Sequence, residues 1–207
     1  AILRLADNRA IEITREQETR FDVAEGIAAT NNSLGMVYPE QVATGKTEYN
    51  VLEVPRGGEY TVTLSDGTVV YLNSGSELRY PVAFGTERRD VFLSGEGYFE
   101  VAKDAKHPFI VHTNRHSVEV LGTSFNISAY PDYKVYTTLA EGRIKVSTTK
   151  VSVVLNPDQQ AVIEPNNDDI VTRDVPAYLF TSWAKGNYEF RNTSLSEIVA
   201  QLSRWYN

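Results

Sequence analysis

The chain is expected to be all-β, built of antiparallel hairpins stacked as a sandwich or roll, with one helix at its C-terminal end. Three observations lead there. Apolar residues recur with a period of two through much of the 207 residues, the pattern of strands with one buried face. Turn residues such as Asp66–Gly67 and Glu141–Gly142 punctuate that pattern about every eight to twelve residues, the spacing of hairpin-rich folds rather than of α/β units. Tyr, Val, Thr and Phe, which suit a pleated surface, are plentiful, with 12 Tyr and 8 Phe.

In chain order, Ala1–Ile13 reads as a hairpin closed by Ala6–Arg9. Thr14–Asp22 is charged and aperiodic, a surface loop. Val23–Val54 mixes apolar pieces with turn residues and offers edge strands around Met36–Tyr38 and Tyr49–Val54. From Pro55 the signal sharpens. Tyr60, Val62 and Leu64 alternate with Thr61, Thr63 and Ser65, which predicts a strand with one core face and one wet face. Asp66–Gly67 then closes a hairpin with Thr68–Leu72, because both residues tolerate positive φ. Val91–Leu93, a Gly95–Glu96–Gly97 turn and Tyr98–Val101 predict a second hairpin. Phe109–His112 and Ser117–Leu121, Ser124–Ala129 and Val135–Leu139, Arg143–Ser147, and Lys150–Leu155 and Gln160–Ile163 continue the series. Tyr188–Phe190 reads as a short strand. Asn192–Thr193–Ser194 with Glu197 forms a capping box ahead of the helical face of Leu195, Ile198, Val199 and Leu202. Residues 1–48 are thus a hairpin and loop region, and 49–182 an all-β domain. Residues 183–207 form the opening strand and helix of a small second domain that the chain truncates.

Composition narrows the function. A net charge of −7 argues against nucleic acid, whose phosphates need a basic face, and against an anionic membrane surface. With no cysteine, disulfides, thiolate metal sites and thiol catalysis are excluded. No apolar run reaches the length of a membrane span, and the chain reads as a fragment, which leaves room for an anchor or targeting segment upstream of Ala1.

Each apparent catalytic or metal motif fails on geometry. Gly45–Lys46–Thr47 lacks the earlier glycine of a phosphate loop, where Glu40 stands. His112 and His116 are spaced as zinc ligands on a helix, but they flank a hairpin turn, and His107 lies before Pro108 in a loop. Glu96 and Glu100 would stand about 13 Å apart along a strand, too far for a glycosidase pair. Arg88, Arg89 and Asp90 read as a solvated strand edge. Asn31, Asn126 and Asn192 sit in Asn-x-Ser sequons, which matter only where the host glycosylates them. Trp183 and Trp205 read as core anchors, Trp205 exposed by truncation. Tyr71, Tyr80, Tyr98, Tyr130 and Tyr136 are core or cross-strand packing, or, in an alternative reading as a carbohydrate-binding β-sandwich, a sugar-stacking surface. No catalytic, cofactor or metal residue is assigned.

A family resemblance enters on ordered motifs. Pro55-Arg-Gly-Gly-Glu-Tyr, Leu64-Ser-Asp-Gly-Thr-Val-Val-Tyr-Leu-Asn, Val91-Phe-Leu-Ser-Gly-Glu-Gly-Tyr-Phe-Glu-Val, Val120-Leu-Gly-Thr-Ser-Phe-Asn-Ile and Thr138-Leu-Ala-Glu-Gly-Arg-Ile-Lys-Val resemble the FecR family of periplasmic sigma regulators. Trp183-x-x-Gly, Tyr188-Glu-Phe-Arg-Asn and Leu202-Ser-Arg-Trp-Tyr resemble the start of the small C-terminal domain of its Bacteroidetes members. The resemblance implies a single-span inner-membrane anti-sigma factor whose cytoplasmic, sigma-binding domain and membrane span are absent here. It implies a periplasmic region that senses the signalling domain of a TonB-dependent outer-membrane transducer and relays its state to an extracytoplasmic-function sigma factor. It supplies no catalytic residues. Contact with the transducer is expected at Tyr188, Glu189 and Phe190, where a terminal strand would offer a free edge.

Overall fold

The structure is a computed structural model and describes residues 1–14, 18–43, 47–191 and 193–206. Among these residues, 18 strands form two sheets that share one long strand. The first sheet runs β2 (Ala10–Glu12), β1 (Ile2–Arg4), β6 (Tyr49–Val54), β9 (Ser76–Pro81), the first half of β10 (Arg89–Glu100), β11 (Phe109–His112), β12 (Ser117–Val120), β15 (Ile144–Ser147) and β16 (Ser152–Leu155). The second runs β3 (Thr19–Ala24), β4 (Ile27–Asn32), β5 (Gly35–Val37), β7 (Tyr60–Thr63), β8 (Val69–Leu72), the second half of β10, β13 (Ser124–Ala129), β14 (Val135–Glu141), β17 (Gln159–Ile163) and β18 (Val171–Asp174). Pairing is antiparallel except at β10–β11 and β5–β7.

The sheets close on one apolar core. Phe109 of the first sheet reaches Phe99 of the second at 6.3 Å between ring centroids, and Phe99 stacks on Phe125 at 5.2 Å. Leu3, Leu52, Leu78 and Val91 of the first sheet and Val62, Leu72, Ile127 and Leu139 of the second belong to this core, all of them buried. Each such side chain contributes about 1.5–3 kcal/mol by leaving water, and this surface is what the alternating sequence pattern encodes.

The pivot is β10. Gly95–Glu96–Gly97 is not a hairpin turn but part of a continuous 12-residue strand. Arg89–Ser94 pairs with β9 and β11, while Gly95–Glu100 pairs with β8 and β13. Gly95 holds φ at +99°, and a Cβ there would lie 2.5 Å from Ser76 Oγ. Glycine is needed because the strand bends between sheets and passes close to β9.

Other expectations also shift. The loop assigned to Thr14–Asp22 contains the start of β3, and residues 15–17 lie outside the described residues. Tyr49–Val54 is an interior strand between β1 and β9, not an edge. The face of β7 expected to be wet is covered, with Thr61 buried against the backbone of Gly35. Arg89 is buried rather than solvated. It forms an ion pair with Asp66 at 2.7 Å and donates to the carbonyls of His107 and Ala102, whereas Arg88 stays exposed and pairs with Asp90. Residues 171–174 form β18, and Tyr178–Thr181 (α1) runs into a 3-10 turn at Ser182–Lys185. Helix α2 (Leu195–Leu202) forms where its apolar spacing places it, while Asn192 and the side chain of Glu197, two members of the capping box, lie outside the described residues. No helix among the described residues is long and apolar enough to cross a membrane.

Candidate functional site

The most structured polar site lies on the outer face of the second sheet, beneath the C-terminal segment. Three adjacent strands supply its floor. Asn73 follows β8, Glu96 projects from β10, and Asn126 projects from β13. Asn73 Nδ2 donates to one Glu96 carboxylate oxygen at 2.8 Å, and Asn126 Nδ2 donates to the other at 3.0 Å. Trp183, placed by the 3-10 turn, donates its indole N–H to Asn126 Oδ1 at 3.0 Å. Asn73, Asn126 and Trp183 are buried. Burial pushes the Glu96 pKa above the usual carboxylate range, opposed by the Asn126 hydrogen bond, the charge of Arg204 and the Asn73 hydrogen bond.

Residues 187–191 and 193–206 lie over this floor. The Arg204 guanidinium sits 4.0 Å from the Tyr130 ring centroid, a cation–π contact. The Arg204 carbonyl accepts hydrogen bonds from Gly57 N, at 2.9 Å, and from Ser74 Oγ. Tyr130 OH donates to the Ser74 carbonyl at 2.8 Å, and its pKa is raised by burial and by Glu96. Between floor and segment runs a cleft of about 620 Å³, walled by Tyr130, Tyr136, Phe180 and Trp183. Three carboxylates line it: Glu96 is hydrogen-bonded on both oxygens, Asp174 accepts from Gln159, and Glu189 pairs with Arg191. An aromatic-walled recess of this kind suits recognition better than bond-making.

Tyr188, Glu189 and Phe190 all line this cleft. They are irregular backbone rather than the expected strand, because Tyr188 is fixed by side-chain bonds instead of a ladder. Its hydroxyl donates to Glu59 Oε1 at 2.8 Å, and its ring meets Trp205 edge-on at 5.0 Å. Burial and the Glu59 carboxylate raise its pKa, so it remains a donor. Glu189 pairs with Arg191. Trp205, expected to be exposed, is partly covered by Tyr188.

The remaining candidates disperse. Among the described residues, no group of three His, Asp or Glu side chains is placed to hold a metal. His116 is buried between Thr113 and Thr137, His112 bonds Asp90 and stacks on Phe92, and His107 bonds Asp104. Of the five tyrosines, Tyr130 and Tyr136 wall the cleft. Tyr80 is fully buried against Tyr38, Tyr71 packs on Tyr98, and Arg204 covers Tyr130. The sequon residues Asn31 and Asn126 are buried, while Asn192, Gly45 and Lys46 lie outside the described residues. Sequence reasoning missed the network of Asn73, Glu96, Asn126 and Arg204. Its one visible sign was polar side chains at outward positions of three neighbouring strands, legible only once the pairing is known.

Comparison with known proteins agrees with this architecture. The FecR protein family matches residues 50–145. Two crystal structures of a candidate anti-sigma factor from Parabacteroides distasonis ATCC 8503, at 2.50 Å and 1.65 Å resolution, superpose on the chain with a TM-score of 0.72 each. The first shares 35% identity over 76% of this chain and 75% of its own, the second 36% over 75% and 74%. No curated protein sequence matches the chain. The ordered motifs, the shared fold and this level of identity together place the chain in the FecR family of sigma-factor regulators.

Proposed function

We propose that the chain is the periplasmic sensor region of a transmembrane anti-sigma factor. It reads the signalling domain of a TonB-dependent outer-membrane transducer and passes that state to an extracytoplasmic-function sigma factor through a cytoplasmic domain of the same protein. Family membership supports the regulatory half of this reading. The transducer half rests on the segment laid over the second sheet. Helix α2 turns Leu195 and Val199 outward, 76% and 55% exposed and one turn apart at i and i+4, and Tyr206, just beyond the helix, is 75% exposed. Clustered exposed apolar side chains mark interaction surfaces. Tyr188, Glu189 and Phe190 belong to the same segment, which makes residues 188–191 and 193–206 the proposed docking face.

Calorimetric titration of the periplasmic region with a transducer signalling domain tests this. Val199→Asp is expected to weaken binding about tenfold or more, by placing a charge in a buried apolar contact. Unchanged affinity for Val199→Asp and for a chain ending at Asn187 would exclude the docking face.

A further inference from the structure

We propose that the free edge of β18 is a strand-addition site for an extended peptide segment that carries a carboxylate. The partner's identity rests on the transducer reading above, whereas the edge and its charge preference do not.

β18 pairs with β17 along one side, Gln159–Val162 against Val171–Asp174, and among the described residues no strand pairs with its other side. All four residues are exposed, Val171 by 62%. An edge strand presents unpaired N–H and C=O groups, and proteins usually guard such edges with prolines, bulges or outward charges. Here Pro176 falls beyond the strand, and the central arginine is turned away from guard duty. Arg173 folds back along the sheet, with Nε and Nη2 both donating to Gln160 Oε1 at 2.9 and 2.6 Å, and its guanidinium lies 5.8 Å from the Tyr136 ring centroid. The backbone edge is therefore left open.

Charge then selects the occupant. Arg173 has no carboxylate within ion-pair reach among the described residues, while nearby Arg191 pairs with Glu189 and Lys134 with Glu164. Asp174, its neighbour, accepts from Gln159. In a chain of net charge −7, this leaves a cation at the centre of an open edge. A strand added to β18 would place every second side chain on the outer face, beside Arg173 and the cleft it lines together with Asp174 and Val175. An Asp or Glu there would complete the ion pair, and its neighbours would face the aromatic wall. This moves strand addition from Tyr188–Phe190, which has no strand backbone, to β18, which lines the same cleft.

The test uses two acetylated, amidated heptapeptides of alternating threonine and valine, one with a central glutamate and one with a central lysine. Each is titrated into the protein while amide exchange is followed by NMR. The expected result is protection of amides within 171–174, with the glutamate peptide bound about threefold tighter, the worth of an exposed ion pair. Arg173→Glu should reverse the preference, and Arg173→Gln should abolish it while leaving the protection of β17 intact. Absence of protection at 171–174, or protection confined to another terminal strand, β2, β3 or β16, overturns the site. Equal affinity for both peptides overturns the carboxylate assignment. A transducer domain that binds without protecting β18 refutes this edge and leaves the preceding reading standing.

Discussion

Replacing Gly95 with alanine tests the hinge on which the two sheets turn. The residue lies at φ +99°, where the added Cβ would sit 2.5 Å from Ser76 Oγ and 2.7 Å from Ser76 Cα. An L-residue held at positive φ costs about 1–2 kcal/mol. Forcing a methyl group against packed backbone costs about 1–3 kcal/mol more. Ser76 Oγ also accepts the Glu96 backbone N–H at 2.8 Å, so displacing it endangers a bond worth about 1 kcal/mol. The expected loss is about 3–6 kcal/mol, a large share of the roughly 5–15 kcal/mol that stabilises a typical domain. Urea unfolding should show a midpoint lowered by about 1–2 M. Gly26→Ala is the control, since Gly26 has φ +74° with no atom within 4 Å of its Cβ position. It should lose only about 1–2 kcal/mol, the backbone part. Equal losses in the two variants would refute the close passage of β10 beside β9.

Further outcomes follow from buried polar groups. Arg89→Met strands the Asp66 carboxylate and should cost about 3–5 kcal/mol in thermal or urea unfolding, where a solvated edge arginine would cost almost nothing. His116, buried between Thr113 and Thr137, has its pKa lowered to about 4 by burial and by Arg115. The unfolded chain binds that proton near pH 6.5 and the folded chain does not, so stability is full above pH 6.5 and falls by about 3 kcal/mol as the pH drops to 4. His116→Gln should flatten that limb in urea titrations at several pH values. Trp183→Phe removes the donor to Asn126 Oδ1 and should cost about 1–3 kcal/mol, with faster amide exchange at the 3-10 turn than at β13.

How much of this was legible in the sequence depends on what each residue answers to. β7, β8, β11–β15 and α2 were readable because local alternation, or helical spacing, coincides with burial there. The Gly95–Glu96–Gly97 stretch misled because glycine serves a turn and a bent strand alike, and only the partners on both sides of β10 distinguish them. β18 escaped because Val171–Asp174 has no apolar period, being exposed along its length. Arg89 looked like surface because its compensating groups, Asp66 and the carbonyls of Ala102 and His107, lie 13 to 23 residues away. The candidate site was the least legible part. Tyr188, Glu189 and Phe190 were named for a strand edge that irregular backbone replaces, and the floor of Asn73, Glu96 and Asn126 exists only through the register of three strands.

The most direct measurement is made in cells carrying the full-length regulator, with transcription from a sigma-dependent promoter as readout. Val199→Asp together with Phe190→Ala, at unchanged protein abundance, should abolish induction by the transducer's ligand while the uninduced level stays at that of the wild type. Full induction by this double variant would contradict the account, because the transducer would then be sensed without the C-terminal segment.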